Sequence, residues 1–154
     1  MALVLLSHQS IVERASGLDD WQVRDSGSKA IVDLGRAGHK VVLLYCRTRD
    51  DGLDYAGRNA LFATVQNQIG RLGGHVDAVV SIPEDKGRRD SMLNDLADRF
   101  GESPDALVLV STIEPSVMGV TRFAGTCYPV CGSEQDGRPQ LEGVVAGLCA
   151  ESGS

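Results

Sequence analysis

The sequence predicts an α/β domain: one doubly wound, Rossmann-like parallel sheet of about five strands, with helices on both faces and a minimal cap or none. Two observations carry this. Short apolar runs alternate with amphipathic stretches from end to end, the pattern of repeated strand–helix units that wind a parallel sheet. The apolar runs are also continuous rather than alternating, as in Leu3-Val4-Leu5-Leu6 and Val41-Val42-Leu43-Leu44. That is the composition of strands covered on both faces.

The candidate strands, in order, are Ala2–Leu6, Lys40–Tyr45, Val76–Ile82, Ala106–Ser111 and Thr126–Val130. Between them lie helical patterns. Ser28 to Ala37 sets Ala30, Ile31 and Leu34 on one face, and Tyr55 to Leu72 carries a stripe of Leu61, Phe62, Val65, Ile69 and Leu72. Asp90 to Phe100 carries Met92, Leu93, Leu96 and Phe100, with Asp90 or Ser91 placed to cap its start. Pro139 stands where a first helical turn tolerates proline, ahead of Leu141, Val144, Val145 and Leu148. Gly38, Gly73–Gly74 and Gly101 follow helices and suit left-handed C-caps. Residues 1–150 read as one domain, undivided by linker or repeat, and 151–154 as a disordered tail.

A chain of 154 residues, 42% hydrophobic, is long enough for a substantial core. The net charge of −6 argues against a nucleic-acid partner, because binding phosphate backbones calls for a basic face. The apolar start, Ala2–Leu6, is too short for a signal-peptide core or a membrane span. A soluble, cytoplasmic protein without membrane association is expected. Cys46, Cys127, Cys131 and Cys149 form no CxxC pair, which suits reduced thiols.

This pattern alone also fits a flavodoxin-like or receiver domain. Four segments narrow it. They are Leu18–Val23 followed by Gly27–Ile31, then Leu34 to Leu44, then Gly125-Thr126-Cys127, and finally Leu141–Val145. Together they resemble the corresponding parts of haloacid-dehalogenase-type (HAD) phosphatases, most closely the heptose-bisphosphate and histidinol-phosphate branch. The resemblance spans nearly the whole chain. It implies a HAD-type fold with Ala2–Leu6 at the sheet centre, between Lys40–Tyr45 and Ala106–Ser111. Any small cap is then confined to the turns around Ile11–Gly27 and Arg47–Asp54.

The chemistry of that family departs from this chain at each of its motifs. The family's first loop reads roughly Asp-x-Asp-Gly, supplying a nucleophile that also binds magnesium, then a general acid. Those positions match Ser7 and Gln9. An unactivated hydroxyl is a poor nucleophile and a weak ligand for a hard cation, and an amide cannot exchange a proton near neutral pH. A Ser7–His8 couple is disfavoured, because adjacent residues of an extended segment point to opposite sides. After the second strand, Tyr45 stands where the family has a small hydroxyl, and Arg47 follows. Arg47 reads first as an exposed loop arginine pairing with Asp50 or Asp51, and otherwise as a fork for an anion. The family's third-motif lysine aligns with Gly87, with Lys86 and Arg88 beside it. This run is either a solvated charge cluster or part of an anion site at a helix start. The fourth motif, an aspartate pair in the family, here reads Ser111-Thr112-Ile113-Glu114.

The degenerate catalytic positions are therefore Ser7, Gln9, Tyr45, Gly87, Ser111 and Thr112. Candidate ligand-binding residues are Ser7, His8, Gln9, Arg47, Lys86 and Arg88. No cofactor is expected, magnesium included. A constellation that acts as a unit fails when any key member is missing. The expectation is a catalytically inactive, pseudo-phosphatase domain that binds a protein partner or a small phosphorylated ligand. The alternative is a weak or divergent phosphatase, a phosphoric monoester hydrolase acting on a small phosphorylated sugar.

Overall fold

The computed structural model describes residues 3–14, 21–45, 55–82, 86–112, 120, 123–130, 137 and 139–152. Its centre is a five-stranded sheet, all of whose strand pairs are parallel. Strand β1 (Leu3–Ser7) leads into a one-turn helix α1 (His8–Ile11) and an antiparallel pair, β2 (Val12–Arg14) and β3 (Trp21–Val23). There follow α2 (Asp25–Arg36), β4 (Lys40–Tyr45), α3 (Tyr55–Arg71), β5 (Ala78–Ser81) and α4 (Lys86–Arg99). A 3-10 turn (Pro104–Ala106), β6 (Leu107–Ser111), β7 (Thr126–Pro129) and α5 (Leu141–Ser152) complete the described chain. The strand order is β5-β4-β1-β6-β7, which puts β1 at the centre between β4 and β6, as the sequence predicts.

The core lies in two layers, one on each side of the sheet. Val4 and Leu6 of β1, with Val41 and Leu43 of β4, face Ile31 and Leu34 of α2, Val65 and Ile69 of α3, and Val145 of α5. Leu3 and Leu5, with Val42, Leu44, Leu107 and Leu109, face Leu93, Leu96 and Ala97 of α4. Successive strand residues thus feed opposite layers, and all five residues of β1 are fully buried. Each fully buried leucine contributes on the order of 1.5–3 kcal/mol relative to exposure, so this doubly covered strand anchors the domain.

Helix boundaries differ from the sequence reading in instructive ways. Helix α2 begins at Asp25, three residues before the predicted Ser28, with Asp25 favourably placed in its first turn. Gly27 argues against a helix on propensity, yet packing requires it. A Cβ there would stand 2.7 Å from both Cβ and the carbonyl oxygen of Ile11, so only glycine lets α2 lie against α1. Helix α4 starts at Lys86 rather than Asp90, so Asp90 and Ser91 lie inside the helix and do not cap it. Helix α5 reaches Ser152, two residues into the segment expected to be a disordered tail; Gly153 and Ser154 lie outside the described residues. The glycines at the ends of α2, α3 and α4 do take positive φ, +90° at Gly38, +82° at Gly73 and +70° at Gly101.

Strand β5 is shorter than predicted. Asp77 donates its N–H to the Val41 carbonyl at 2.8 Å, while its carboxylate accepts the Val41 N–H at 2.7 Å. The carboxylate thereby takes over the ladder's acceptor role at the strand's start. The predicted cap region Ile11–Gly27 contains only α1, the β2–β3 pair and the start of α2 among the described residues. Its counterpart Arg47–Asp54 lies outside them.

Candidate functional site at the strand ends

The carboxyl ends of β1, β4 and β6 bring together Ser7, Tyr45 and Ser111, the last residues of their strands, with His8 and Thr112 immediately after. In an open parallel sheet this edge is where ligands bind. Ser7 is fully buried, and its hydroxyl oxygen accepts the Thr112 backbone N–H at 3.3 Å. That bond ties the end of β1 to the exit of β6. The Ser7 carbonyl in turn accepts the Ser10 hydroxyl at 2.6 Å, which closes the α1 turn on itself.

His8 leaves in the other direction. Its ring is fully buried and stacks on Tyr45, with centroids 4.6 Å apart and planes at 28°. Tyr45 meets Phe62 of α3 edge-on at 5.7 Å. Both arrangements are favourable aromatic geometries. Ser7 and His8 diverge, but because His8 opens helix α1 rather than extending β1: Ser7 engages Thr112, and His8 engages Tyr45. Tyr45, which stands where the resembled family has a small hydroxyl, is 2% exposed and its ring is packed between His8 and Phe62. Ser111 is buried beside Ser7, and its carbonyl accepts the Val130 N–H at 3.0 Å, binding β6 to the residue after β7.

The remaining predicted residues are placed less fully. Gln9 lies within α1, and Lys86, Gly87 and Arg88 form the first turn of α4, but the side chains of Gln9, Lys86 and Arg88 are outside the described set. Arg47 also lies outside it. The basic run, which the sequence leaves between loop and helix start, therefore opens a helix. Cations there oppose the positive end of the helix dipole, which a bound anion would offset.

Sequence reasoning missed Arg24. This half-buried residue sits between β3 and α2 and donates from Nη2 to the Ser10 carbonyl. Its backbone N–H donates to the Ile11 carbonyl at 2.8 Å. Gln68 of α3 adds a further tie, accepting the Val23 N–H at 3.2 Å through its side-chain oxygen. Nothing in the local pattern marks Arg24, since the carbonyls of Ser10 and Ile11 are main-chain acceptors that carry no sequence signature.

Among the described residues, no three His, Cys, Asp or Glu side chains converge to hold a metal ion. Cys127 and Cys149 are half-buried, while Cys46 and Cys131 lie outside the described residues. No helix among the described residues is long and apolar enough to cross a membrane.

No family model and no curated protein matches the sequence. Solved structures do match. A D,D-heptose 1,7-bisphosphate phosphatase from B. bronchiseptica, complexed with magnesium and phosphate, is 20% identical, with a TM-score of 0.75 over 98% of this chain and 99% of its own. A protein described as a HAD-like phosphatase, from Mesorhizobium loti, is 18% identical with a TM-score of 0.72, over 99% of this chain and 85% of its own. The D,D-heptose 1,7-bisphosphate phosphatase from Burkholderia thailandensis is 19% identical with a TM-score of 0.62, over 96% and 98%. The fold is thus the Rossmann-like fold of HAD-type phosphatases along nearly the whole chain.

Proposed function

We propose that this domain is a non-catalytic relative of the HAD-type phosphatases, acting by binding rather than by hydrolysis. The observation that carries the proposal is Ser7. It stands at the end of the central strand, where the resemblance puts the phosphatase nucleophile, and its oxygen accepts a backbone N–H from Thr112. Phosphoryl transfer of this class needs an anionic oxygen nucleophile and a cation to neutralise the phosphate. Among the described residues, these strand ends offer the hydroxyls of Ser7, Tyr45, Ser111 and Thr112 and the ring of His8. A magnesium ion, which favours carboxylate oxygens, does not fit that set.

The ligand in this reading is a protein partner or a small phosphorylated molecule. The first turn of α4, with Lys86 and Arg88, and the post-β4 Arg47 are the cations that would meet it. Nucleic acid and membrane are not partners, and the setting is cytoplasmic. The fold likeness to a heptose-bisphosphate phosphatase complexed with magnesium and phosphate favours a second reading, a weak phosphoric monoester hydrolase acting on a small phosphorylated sugar.

Assay of the purified protein with sugar bisphosphates and a generic phosphate ester, with and without magnesium, separates the two. We expect turnover no greater than that of a heat-inactivated control. We also expect any thermal stabilisation by phosphate to be independent of magnesium. Hydrolysis abolished by chelator would establish the second reading instead.

A further inference from the structure

We infer that Ser7 sets the anion affinity of the strand-end crevice by occupying one of its donors: its hydroxyl oxygen holds the Thr112 N–H, which an anionic phosphate oxygen would otherwise accept. This rests on the binding reading above and deepens it. Thr112 is half-buried at the exit of β6, at the edge of the sheet where a ligand would approach, whereas Ser7 is wholly enclosed.

A backbone N–H in such a setting requires an acceptor. Ser7 Oγ supplies one at 3.3 Å, slightly beyond the usual range for N–H···O, and the acceptor is neutral. A phosphate oxygen carries charge and makes the shorter, stronger bond. The serine nevertheless stays in place, because its turn is braced from behind. Ser10 Oγ donates to the Ser7 carbonyl at 2.6 Å, Arg24 Nη2 donates to the Ser10 carbonyl, and the Arg24 N–H donates to the Ile11 carbonyl at 2.8 Å. An incoming anion must displace the hydroxyl from Thr112 while the backbone that presents it is fixed. Ser7 therefore acts as a built-in competitor that lowers the affinity for a phosphate group at this point in the crevice.

The test is titration of the isotope-labelled full chain with inorganic phosphate, without magnesium, followed by amide NMR. In the wild-type protein the Thr112 amide should be protected from hydrogen exchange and should shift little with phosphate. In Ser7→Ala the same amide should shift on titration, and phosphate should bind about three- to tenfold tighter, the span of one neutral hydrogen bond's net contribution. Thr112→Val placed on the Ser7→Ala background keeps the N–H and should retain the gain. Equal or weaker affinity in Ser7→Ala, or tighter binding that leaves the Thr112 amide unmoved, overturns the inference. Should Ser7→Ala not fold, the wild-type measurement still decides, because a Thr112 amide exchanging at the solvent rate overturns it alone. Magnesium-dependent turnover by the wild-type protein would sink the non-catalytic reading without touching these amide signals, so the two failures are distinct.

Discussion

Cys149 lies on α5 against α2, where its thiol donates to the Asp33 carbonyl at 3.6 Å. Burial pushes its pKa above the usual 9.0, and the nearby Asp33 carboxylate adds to the rise. Both effects disfavour the thiolate, the form that reacts and binds metal. The consequence for stability has a definite sign. Because the folded state holds the thiol proton more tightly than the unfolded chain, the contribution is present below the ordinary thiol range and lost as pH rises through it. Difference titration of the thiolate absorbance against Cys149→Ser should give a midpoint above that of a free cysteine. A midpoint at or below the free value would contradict the packing of α5 on α2. Ser7 and His8 likewise act as single groups. Adjacent in sequence, they serve different parts of the molecule because the chain leaves β1 with one side chain toward Thr112 and the other toward Tyr45.

At the scale of elements, the described residues between β1 and α2 form only a one-turn helix and a short antiparallel pair. The helical turn α1 and the β2–β3 pair are held by main-chain hydrogen bonds, by Gln68 and by Arg24. Arg24→Met keeps much of the stem's apolar bulk and removes the charged donor to the Ser10 carbonyl. Hydrogen bonds from charged groups are worth roughly 1.5–3 kcal/mol, and partial exposure lowers that, so a loss of about 1–2 kcal/mol is expected. In urea unfolding this should move the midpoint down with the slope unchanged. An unmoved midpoint would mean that the Arg24 donor adds nothing to the hold on this pair. Here the sequence also misled about helix starts. Propensity argues against Gly27 in a helix, but the contact with Ile11 overrides it. Asp90 and Ser91 resemble caps, but α4 had already begun at Lys86. Local patterns report what a segment prefers, whereas boundaries answer to neighbours that lie far away in sequence.

For the whole molecule, the parallel sheet was legible because its strands are buried on both faces, and burial of that kind leaves continuous apolar runs in the chain. The placement of β1 between β4 and β6 came from resemblance to a known fold, and the register of β1 on both neighbours realises it. The candidate site was legible as positions and not as interactions. Ser7, Tyr45, Ser111 and Thr112 do converge at the strand ends, but the bond from Thr112 to Ser7 uses a backbone N–H that any residue would supply. This architecture leads to a last prediction about restoring chemistry. Ser7→Asp with Gln9→Asp returns the nucleophile and general acid of the resembling family, yet Ser111 and Thr112 still offer hydroxyls where that family places carboxylates. Groups that act as a unit are strongly non-additive, so two of them without the rest should give little. A buried aspartate at position 7 would also carry a charge into a fully enclosed site, raising its pKa or destabilising the domain. The double variant should therefore melt below the wild type and show no chelator-sensitive phosphatase activity above background. Robust magnesium-dependent turnover from these two changes alone would show that the rest of the catalytic machinery had been in place throughout, and that only the first loop had been lost.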